Sequence, residues 1–199
     1  MATSKNPTTR SRRGSGKRQF LTQEALKRLL AVIKDKRDKA LFLLAYRHGL
    51  RASEIGLSQR TDVDLQQGRI RTHRLKGSLS AVYPLQPDVM KLLRSHLRSR
   101  TDASPYLFIS NRGTSLDRRT LWCAMDTYGQ KAGLPPQKRT FHALEHSIAT
   151  HLLDAEADLA FVKHWLGQKN IQNTTICAQL TTGRQDSEAR RLFADYRVV

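Results

Sequence analysis

The sequence lacks the features that mark several large classes of protein. It has two cysteines, Cys123 and Cys177, far apart and in no ligand-like spacing. This excludes a disulfide framework and a cysteine-based zinc finger, and it indicates a reducing, cytoplasmic setting. We find no apolar run of membrane-spanning length and no hydrophobic segment of a signal peptide after Met1. The glycine patterns of a P-loop and of a dinucleotide-binding fold are also absent. We therefore expect no membrane association, no metal and no cofactor.

Acidic residues are scarce relative to basic ones. The chain of 199 residues has 35 Lys and Arg against 17 Asp and Glu, which gives a net charge of +18 and a pI near 10.7. A charge of this size predicts a polyanionic partner, and a basic protein without such a partner is the less favoured alternative. The length suits one domain with a sizeable core, with or without a tail.

Residues 1–18 differ in composition from the rest of the chain. They contain no acid, and beyond Met1 no aliphatic residue larger than Ala2, so they cannot bury a core. We predict a disordered basic arm at 1–18 that follows DNA phosphates, ahead of a domain at 19–199. An ordinary solvated terminus is an equally favoured alternative. The basic residues of the arm that are predicted to contact DNA are Arg10, Arg12, Arg13, Lys17 and Arg18.

Hydrophobic spacing predicts a mainly α-helical domain with a small antiparallel β-sheet. Thr22 suits the N-cap of a first helix, and Gly49 suits the end of a second. The β-branched and aromatic residues of 69–85 flank Lys76-Gly77 and predict a β-hairpin. Further predicted elements are a helix that begins at Pro87, a short strand at 106–110, and helices at about 116–131, around His142, after Asp158 and at roughly 186–194.

Three short motifs suggest contact with phosphate. Gly49 to Ile55 reads GLRASEI, in which Arg51 follows a glycine-terminated helix and can point its planar guanidinium at a phosphate. Glu54, one turn later, can hold that guanidinium. Lys76 lies at the turn of the predicted hairpin, where lysine is a favoured residue. The third motif, FHALEHSIATHLLD at 141–154, is followed at 158–177 by DLAFVKHWLGQKNIQNTTIC.

Together these motifs resemble the tyrosine recombinase (phage integrase) family. That family has G-x-R-x-x-E, a hairpin lysine, H-x-x-R-H, and an L-G-H that precedes the nucleophilic tyrosine by nine residues. The resemblance covers roughly residues 20–199. It is to the short form that inverts fimbrial promoters, without the N-terminal core-binding domain. It implies the helical fold with a small sheet and double-stranded DNA as partner, and it leaves open a homo-oligomer on DNA.

The resemblance also implies a degenerate active site. Glu145 occupies the position of the arginine, Gln168 that of the later histidine and Cys177 that of the tyrosine. A carboxylate about 4 Å from a phosphate costs on the order of 4 kcal/mol at an effective dielectric constant of about 20. We therefore predict a catalytically inactive homologue, a DNA-binding transcriptional or accessory regulator that does not cleave. The family positions retained are Arg51, Lys76 and His142. By this resemblance Lys76 protonates the leaving oxygen.

Two alternatives remain. An active site-specific recombinase with an altered nucleophile requires Cys177, or another residue, to form a covalent adduct with DNA. A zinc metallopeptidase is a distant alternative, because residues 142–146 read H-x-x-E-H. No acidic third ligand for zinc is evident in the sequence.

Base reading is expected from the helix at 116–131, whose counterpart in the family meets the major groove. By this resemblance Arg119 contacts a base edge and Arg118 a phosphate. Solvated arginines on an exposed helix face are the alternative. The remaining residues predicted to bind DNA are Arg51, Arg74, Lys76, Lys138, Arg139, His142 and Lys169.

Overall fold

The protein consists mainly of helices, with one small antiparallel sheet. A computed structural model of the protein describes residues 20–75 and 79–168. Its mainly helical architecture confirms the predicted fold class. In chain order the elements are α1 (Gln23–Val32), α2 (Lys36–His48), α3 (Ala52–Leu57), β1 (Val63–Asp64), β2 (Arg69–Thr72), β3 (Ala81–Pro84), α4 (Pro87–Arg98), α5 (Arg118–Lys131), α6 (Phe141–Asp154) and α7 (Leu159–Trp165). Short 3-10 turns occupy Arg60–Asp62 and Pro136–Lys138.

Local side chains determine where the helices begin and end. The Thr22 hydroxyl accepts a hydrogen bond from the backbone N–H of Ala25 and caps α1, and the Asp158 carboxylate caps α7 in the same way. Gly49 ends α2 in the left-handed region, at a φ of 56°, which favours glycine. The predicted helix starts and stops at these three positions are confirmed.

α2 lies at the centre of the described core. It packs against α4 on one side and α6 on another, and Leu41 and Leu44 are almost completely buried. The Phe42 ring lies 5.3 Å from the ring of Phe141 and 5.6 Å from that of Tyr128. Apolar burial of this kind is the main favourable contribution to folding. It holds the C-terminal end of α2 in a fixed place relative to α6.

The three strands form one antiparallel sheet in the order β1-β2-β3. Ile70 of β2 pairs with Val63 on one side and with Tyr83 on the other. The hairpin predicted at 69–85 is therefore confirmed, although its tip at 76–78, which includes Lys76, lies outside the described residues. Along β2, Ile70 and Thr72 point inward, whereas Arg69 and Arg71, which alternate with them, point outward.

Two predictions differ from the structure or cannot be compared with it. The segment 106–110 forms no regular strand, because Tyr106 and Ile109 each pair with another segment at a single residue. Leu107 and Phe108 are both buried, so the segment lacks the alternation of a strand with one face in the core. The helix predicted at 186–194 lies outside the described residues. Within 20–75 and 79–168, no helix is long and apolar enough to cross a membrane.

Candidate functional site

Arg51 lies at the junction of α2 and α3, where the chain turns after Gly49. The Glu54 carboxylate accepts one hydrogen bond from the Arg51 backbone N–H, at 3.0 Å, and another from its guanidinium, at 3.3 Å. The pairing predicted within the GLRASEI motif is therefore present. The Arg51 side chain is 32 % exposed, so its guanidinium reaches the surface while both its backbone and its side chain are held.

Glu54 is the buried centre of this cluster. Its side chain is 1 % exposed, and it also accepts hydrogen bonds from the Arg74 guanidinium, at 3.1 Å, and from the backbone N–H of Leu75, at 3.2 Å. A buried carboxylate is costly unless it is paired and hydrogen-bonded. Glu54 therefore joins α3 to the segment that follows β2.

Arg74, which the sequence predicted to contact DNA, is buried, with only 1 % of its side chain exposed. Its guanidinium donates to the carbonyls of His48 and Gly49 at the end of α2, at 2.6 and 2.8 Å, and to the carbonyl of Trp165 in α7. A cation is favoured there because the last carbonyls of a helix lack partners and carry partial negative charge. The inward alternation of Ile70, Thr72 and Arg74 could have revealed this burial.

Glu145, on α6, extends the cluster towards the surface. Its side chain is 7 % exposed, with one oxygen 3.3 Å from the Arg51 guanidinium and the other 3.2 Å from Nδ1 of His142. Burial, the largest single effect, raises the pKa of Glu145. The hydrogen bond from His142 and the charge of Arg51 outweigh burial, so the pKa lies below its usual value and the carboxylate is ionised.

The expected repulsion between Glu145 and a phosphate assumed a carboxylate without partners. The structure instead places Glu145 between Arg51 and His142, so its charge is largely offset within the protein. The same carboxylate holds the arginine in place. The repulsion expected from an unpaired carboxylate at position 145 is therefore reduced in this fold.

His142 lies at the exposed edge of the site, with 73 % of its side chain accessible. The hydrogen bond to Glu145 raises its pKa above the ordinary value, against the opposing effects of burial and of the charges of Arg51 and Arg118. Its ring stacks on that of His146 at 6.2 Å. Arg118, at the start of α5, is near enough for its charge to act on this ring. The described residues contain no group of three or more His, Cys, Asp or Glu placed to hold a metal ion.

The other residues predicted to bind DNA differ in exposure and in their contacts. Arg118 and Arg119 are exposed in the first turn of α5, which Asp117 caps. Arg139 is held by the carbonyl of Leu134 at 2.8 Å and by Asp126 at 3.4 Å. Lys138 lies over the ring of Phe20 at 5.7 Å. Predicted residues outside the described part of the chain are Lys76, Lys169, Cys177, Arg10, Arg12, Arg13, Lys17 and Arg18.

α7 packs against this cluster through aromatic residues that the sequence analysis did not identify. The Trp165 ring stacks on His48 at 5.7 Å, and its indole N–H donates to the carbonyl of Arg47 at 2.8 Å. Burial lowers the pKa of His48 to about 4, so this ring is neutral near pH 7. Gln168 lies just beyond the end of α7, and its backbone N–H donates to the carbonyl of Lys163 at 3.0 Å.

Gly167 gives a test of how tightly α7 is held. Its φ is 64°, and a Cβ there would lie 2.7 Å from the Leu79 carbonyl oxygen and 3.1 Å from Arg74 Cγ. We expect Gly167→Ala to reduce the free energy of unfolding by more than the roughly 1–3 kcal/mol of backbone strain alone. Gly133→Ala is the matched control, because Gly133 has a φ of 68° and open space around its Cβ position. Equal losses in urea denaturation would show that the close approach has no energetic consequence.

The fold and the site define a strongly basic helical domain that presents a clamped arginine suited to phosphate groups. Residues 19–184 match the model of the phage integrase family, and the chain belongs to that family.

The chain is similar to named recombinases. It is 39 % identical over 166 residues to tyrosine recombinase XerA of Thermococcus kodakarensis, which covers 81 % of this chain and 58 % of XerA. It is 33 % identical over 167 residues to the type 1 fimbriae regulatory protein FimE of Escherichia coli, covering 79 % of this chain and 84 % of FimE. A crystal structure of a XerA recombinase superposes with a TM-score of 0.74 and 29 % identity, over 90 % of this chain and 65 % of that one.

These relatives correct the prediction that the protein is catalytically inactive. The chain spans about three fifths of the length of the XerA relatives that it matches, at 58 % of the first of them. Those relatives are named tyrosine recombinases, which are enzymes, so the prediction of a catalytically inactive homologue is contradicted. The prediction rested on Glu145, Gln168 and Cys177 together, and it treated Glu145 as an unpaired charge. The structure pairs Glu145 with Arg51 and gives it a hydrogen bond from His142.

Proposed function

We propose that the chain binds double-stranded DNA and takes part in site-specific DNA recombination. The observation that carries this proposal is Arg51, which reaches the surface while Glu54 and Glu145 hold it from two sides. Transfer of a phosphodiester bond requires the phosphate charge to be held by preorganised donors, and a fixed guanidinium is suited to that task. Membership of the phage integrase family supports the reaction class.

The DNA would lie across the exposed edge formed by Arg51, His142 and the first turn of α5. The start of α5 is near His142, because the charge of Arg118 acts on the pKa of that ring. The net charge of +18 supplies a general attraction for the duplex. Lys76 and Cys177, the predicted acid and the residue at the predicted nucleophile position, lie outside the described residues.

A regulatory outcome of recombination is the finer form of this proposal. It is supported by FimE, which is named a regulatory protein and of which the chain covers 84 %. We propose a DNA-associated protein of the cytoplasm that alters gene expression by rearranging DNA. Comparing transcripts before and after induction, with sequencing of the same locus, tests this step. Altered transcripts without any DNA rearrangement would contradict it.

A salt titration tests DNA binding. If about 6 to 8 phosphates are neutralised, log K should fall against log salt with a slope near −5 to −7. Fluorescence anisotropy of a labelled duplex measures this slope. Deletion of residues 1–18 should weaken binding to all sequences without changing which one is preferred. A flat salt response would contradict duplex binding through phosphates.

Recombination requires a bound site, which can be selected from random duplexes with the full chain. A suicide substrate that carries this site should yield a covalent protein–DNA adduct on a denaturing gel. The recombination proposal would be overturned by tight, salt-dependent binding that yields neither an adduct nor an exchanged strand.

The first turn of α5 gives a separate prediction about sequence reading. A bidentate arginine–guanine contact discriminates by about 1–3 kcal/mol. We expect Arg119→Ala to reduce the preference for the selected site over random DNA. We expect Arg118→Ala, its matched control on the same exposed turn, to lower affinity for both about equally. Competition binding measures both ratios. Equal losses on both DNAs for both variants would show that α5 does not read the sequence.

A further inference from the structure

We propose that Glu145 is a positioning residue that fixes His142 in the tautomer with hydrogen on Nδ1 and leaves Nε2 as the proton acceptor at the DNA-facing edge. The inference rests on the proposed function, since it assigns a role within the same site. Under this proposal Glu145 orients the residue that accepts a proton.

The geometry fixes which nitrogen carries the hydrogen. An ionised carboxylate only accepts hydrogen bonds, so the histidine nitrogen that lies 3.2 Å from Glu145 must donate. A neutral imidazole has one N–H and one lone pair. With hydrogen on Nδ1, the lone pair of His142 therefore resides on Nε2, on the side of the ring away from Glu145. The side chain that carries Nε2 is 73 % exposed.

The carboxylate is rigid enough to orient the ring. Its second oxygen lies 3.3 Å from the Arg51 guanidinium, and its side chain is only 7 % exposed. Arg51 is in turn held by Glu54. The chain of contacts from Glu54 through Arg51 and Glu145 to His142 thus links the residue that would hold the phosphate to the residue that would accept a proton.

The surrounding charges act on His142 from three elements. Glu145 and His146 share its helix α6, Arg51 approaches from the start of α3, and Arg118 from the start of α5. The two arginines lower the pKa of His142, whereas the hydrogen bond to Glu145 raises it by more, so the net change is upward. A raised pKa makes His142 a stronger base once it is neutral.

In the reaction, the proton of the attacking hydroxyl or thiol would pass to Nε2 of His142. The nucleophile forms a bond to phosphorus as the bond between phosphorus and the 5′-oxygen breaks. The 5′-oxygen leaves with the electron pair and takes a proton from a separate acid or from water. His142 returns its proton when the strand is rejoined, so it is regenerated.

Nitrogen NMR of the full chain, without DNA, tests the tautomer directly. The chemical shifts of the two ring nitrogens distinguish which one is protonated, and loss of the signal in His142→Gln assigns them. We expect neutral His142 to carry hydrogen on Nδ1. A dominant form with hydrogen on Nε2 would overturn the proposal without any further variant.

Glu145→Gln tests the effect of the charge. We expect the pKa of His142 to fall, because the substitution removes the carboxylate that raises it. Asp62→Asn is the matched control, since Asp62 pairs with His73 at 2.8 Å, and it should leave His142 unchanged. An unchanged His142 pKa in a folded Glu145→Gln protein would overturn the proposal.

Single-turnover cleavage of the selected DNA site tests the role in chemistry. His142 accepts a proton only when it is neutral, so the rate should rise with pH through the pKa of His142. Glu145→Gln should move this rise to lower pH, and Glu145→Asp should restore its position in part. A uniform loss of rate at all pH values would indicate a merely structural role and overturn the proposal. If NMR shows the tautomer but wild-type protein cleaves no DNA, the proposed function fails, and the proton-acceptor role with it, although the tautomer stands.

Discussion

Replacing Arg74 with methionine is expected to reduce the free energy of unfolding by about 3–5 kcal/mol, the usual cost of breaking a buried ion pair. The methionine keeps most of the aliphatic stem but leaves the Glu54 carboxylate, which is 1 % exposed, without its buried cationic partner. It also leaves the carbonyls of His48 and Gly49 without the guanidinium that binds them. Chemical denaturation followed by circular dichroism measures the loss.

Arg71→Met is the control for this substitution. Arg71 lies on the same strand, β2, but on its exposed side, so its replacement should change stability by no more than about 0.5 kcal/mol. Similar stabilities for the two variants would contradict the structural role of Arg74. They would restore the earlier interpretation of Arg74 as a surface contact.

Arg51→Lys is expected to slow DNA cleavage by about 100-fold or more, the usual cost of removing one preorganised donor from a developing negative charge. Lysine retains the positive charge but lacks the planar guanidinium that contacts Glu54 and Glu145 and that could bind a phosphate through its remaining donors. Affinity for the duplex should change much less, because most of it comes from many phosphate contacts. Single-turnover cleavage of the selected site and binding to the same duplex measure the two effects.

Arg98→Lys is the matched control for Arg51→Lys. Arg98 is exposed at the C-terminal end of α4. The opposite end of this helix is the one near Arg51, because its Asp88 pairs with Arg47 at the end of α2. Its substitution should leave cleavage unchanged. Equal cleavage rates for the two variants would contradict a contact between Arg51 and the reacting phosphate.

The fold was largely predictable because its signals are local. Thr22, Gly49 and Asp158 each act within one helical turn, so a short stretch of sequence reports the boundary of the helix. The hairpin follows from side chains adjacent to its own turn. The segment at 106–110 was less predictable, because it pairs at single residues only, through Tyr106 with the distant Gln59 and through Ile109 with the nearby Ser115.

The site was less predictable because its contacts join distant parts of the chain. The pairing of Arg51 with Glu54 spans one turn and was predicted, but the contact of Arg51 with Glu145 spans most of the domain. Glu145 was therefore interpreted by its charge alone, as a residue that repels phosphate. Arg74 was likewise interpreted by its charge, although the alternation of β2 directs it inward.

The ion-pair cluster has a consequence for how such a protein would find DNA. The charges of Arg51 and Arg74 equal those of Glu54 and Glu145, so these four side chains together add no net charge to the site. Attraction over distance would then come from the other basic residues of a chain with net charge +18, and it would weaken with salt. Placement of the phosphate at Arg51 would depend on contact geometry, which salt affects much less. Capture of DNA and alignment of the scissile bond are thus assigned to different residues, and ionic strength can separate the two.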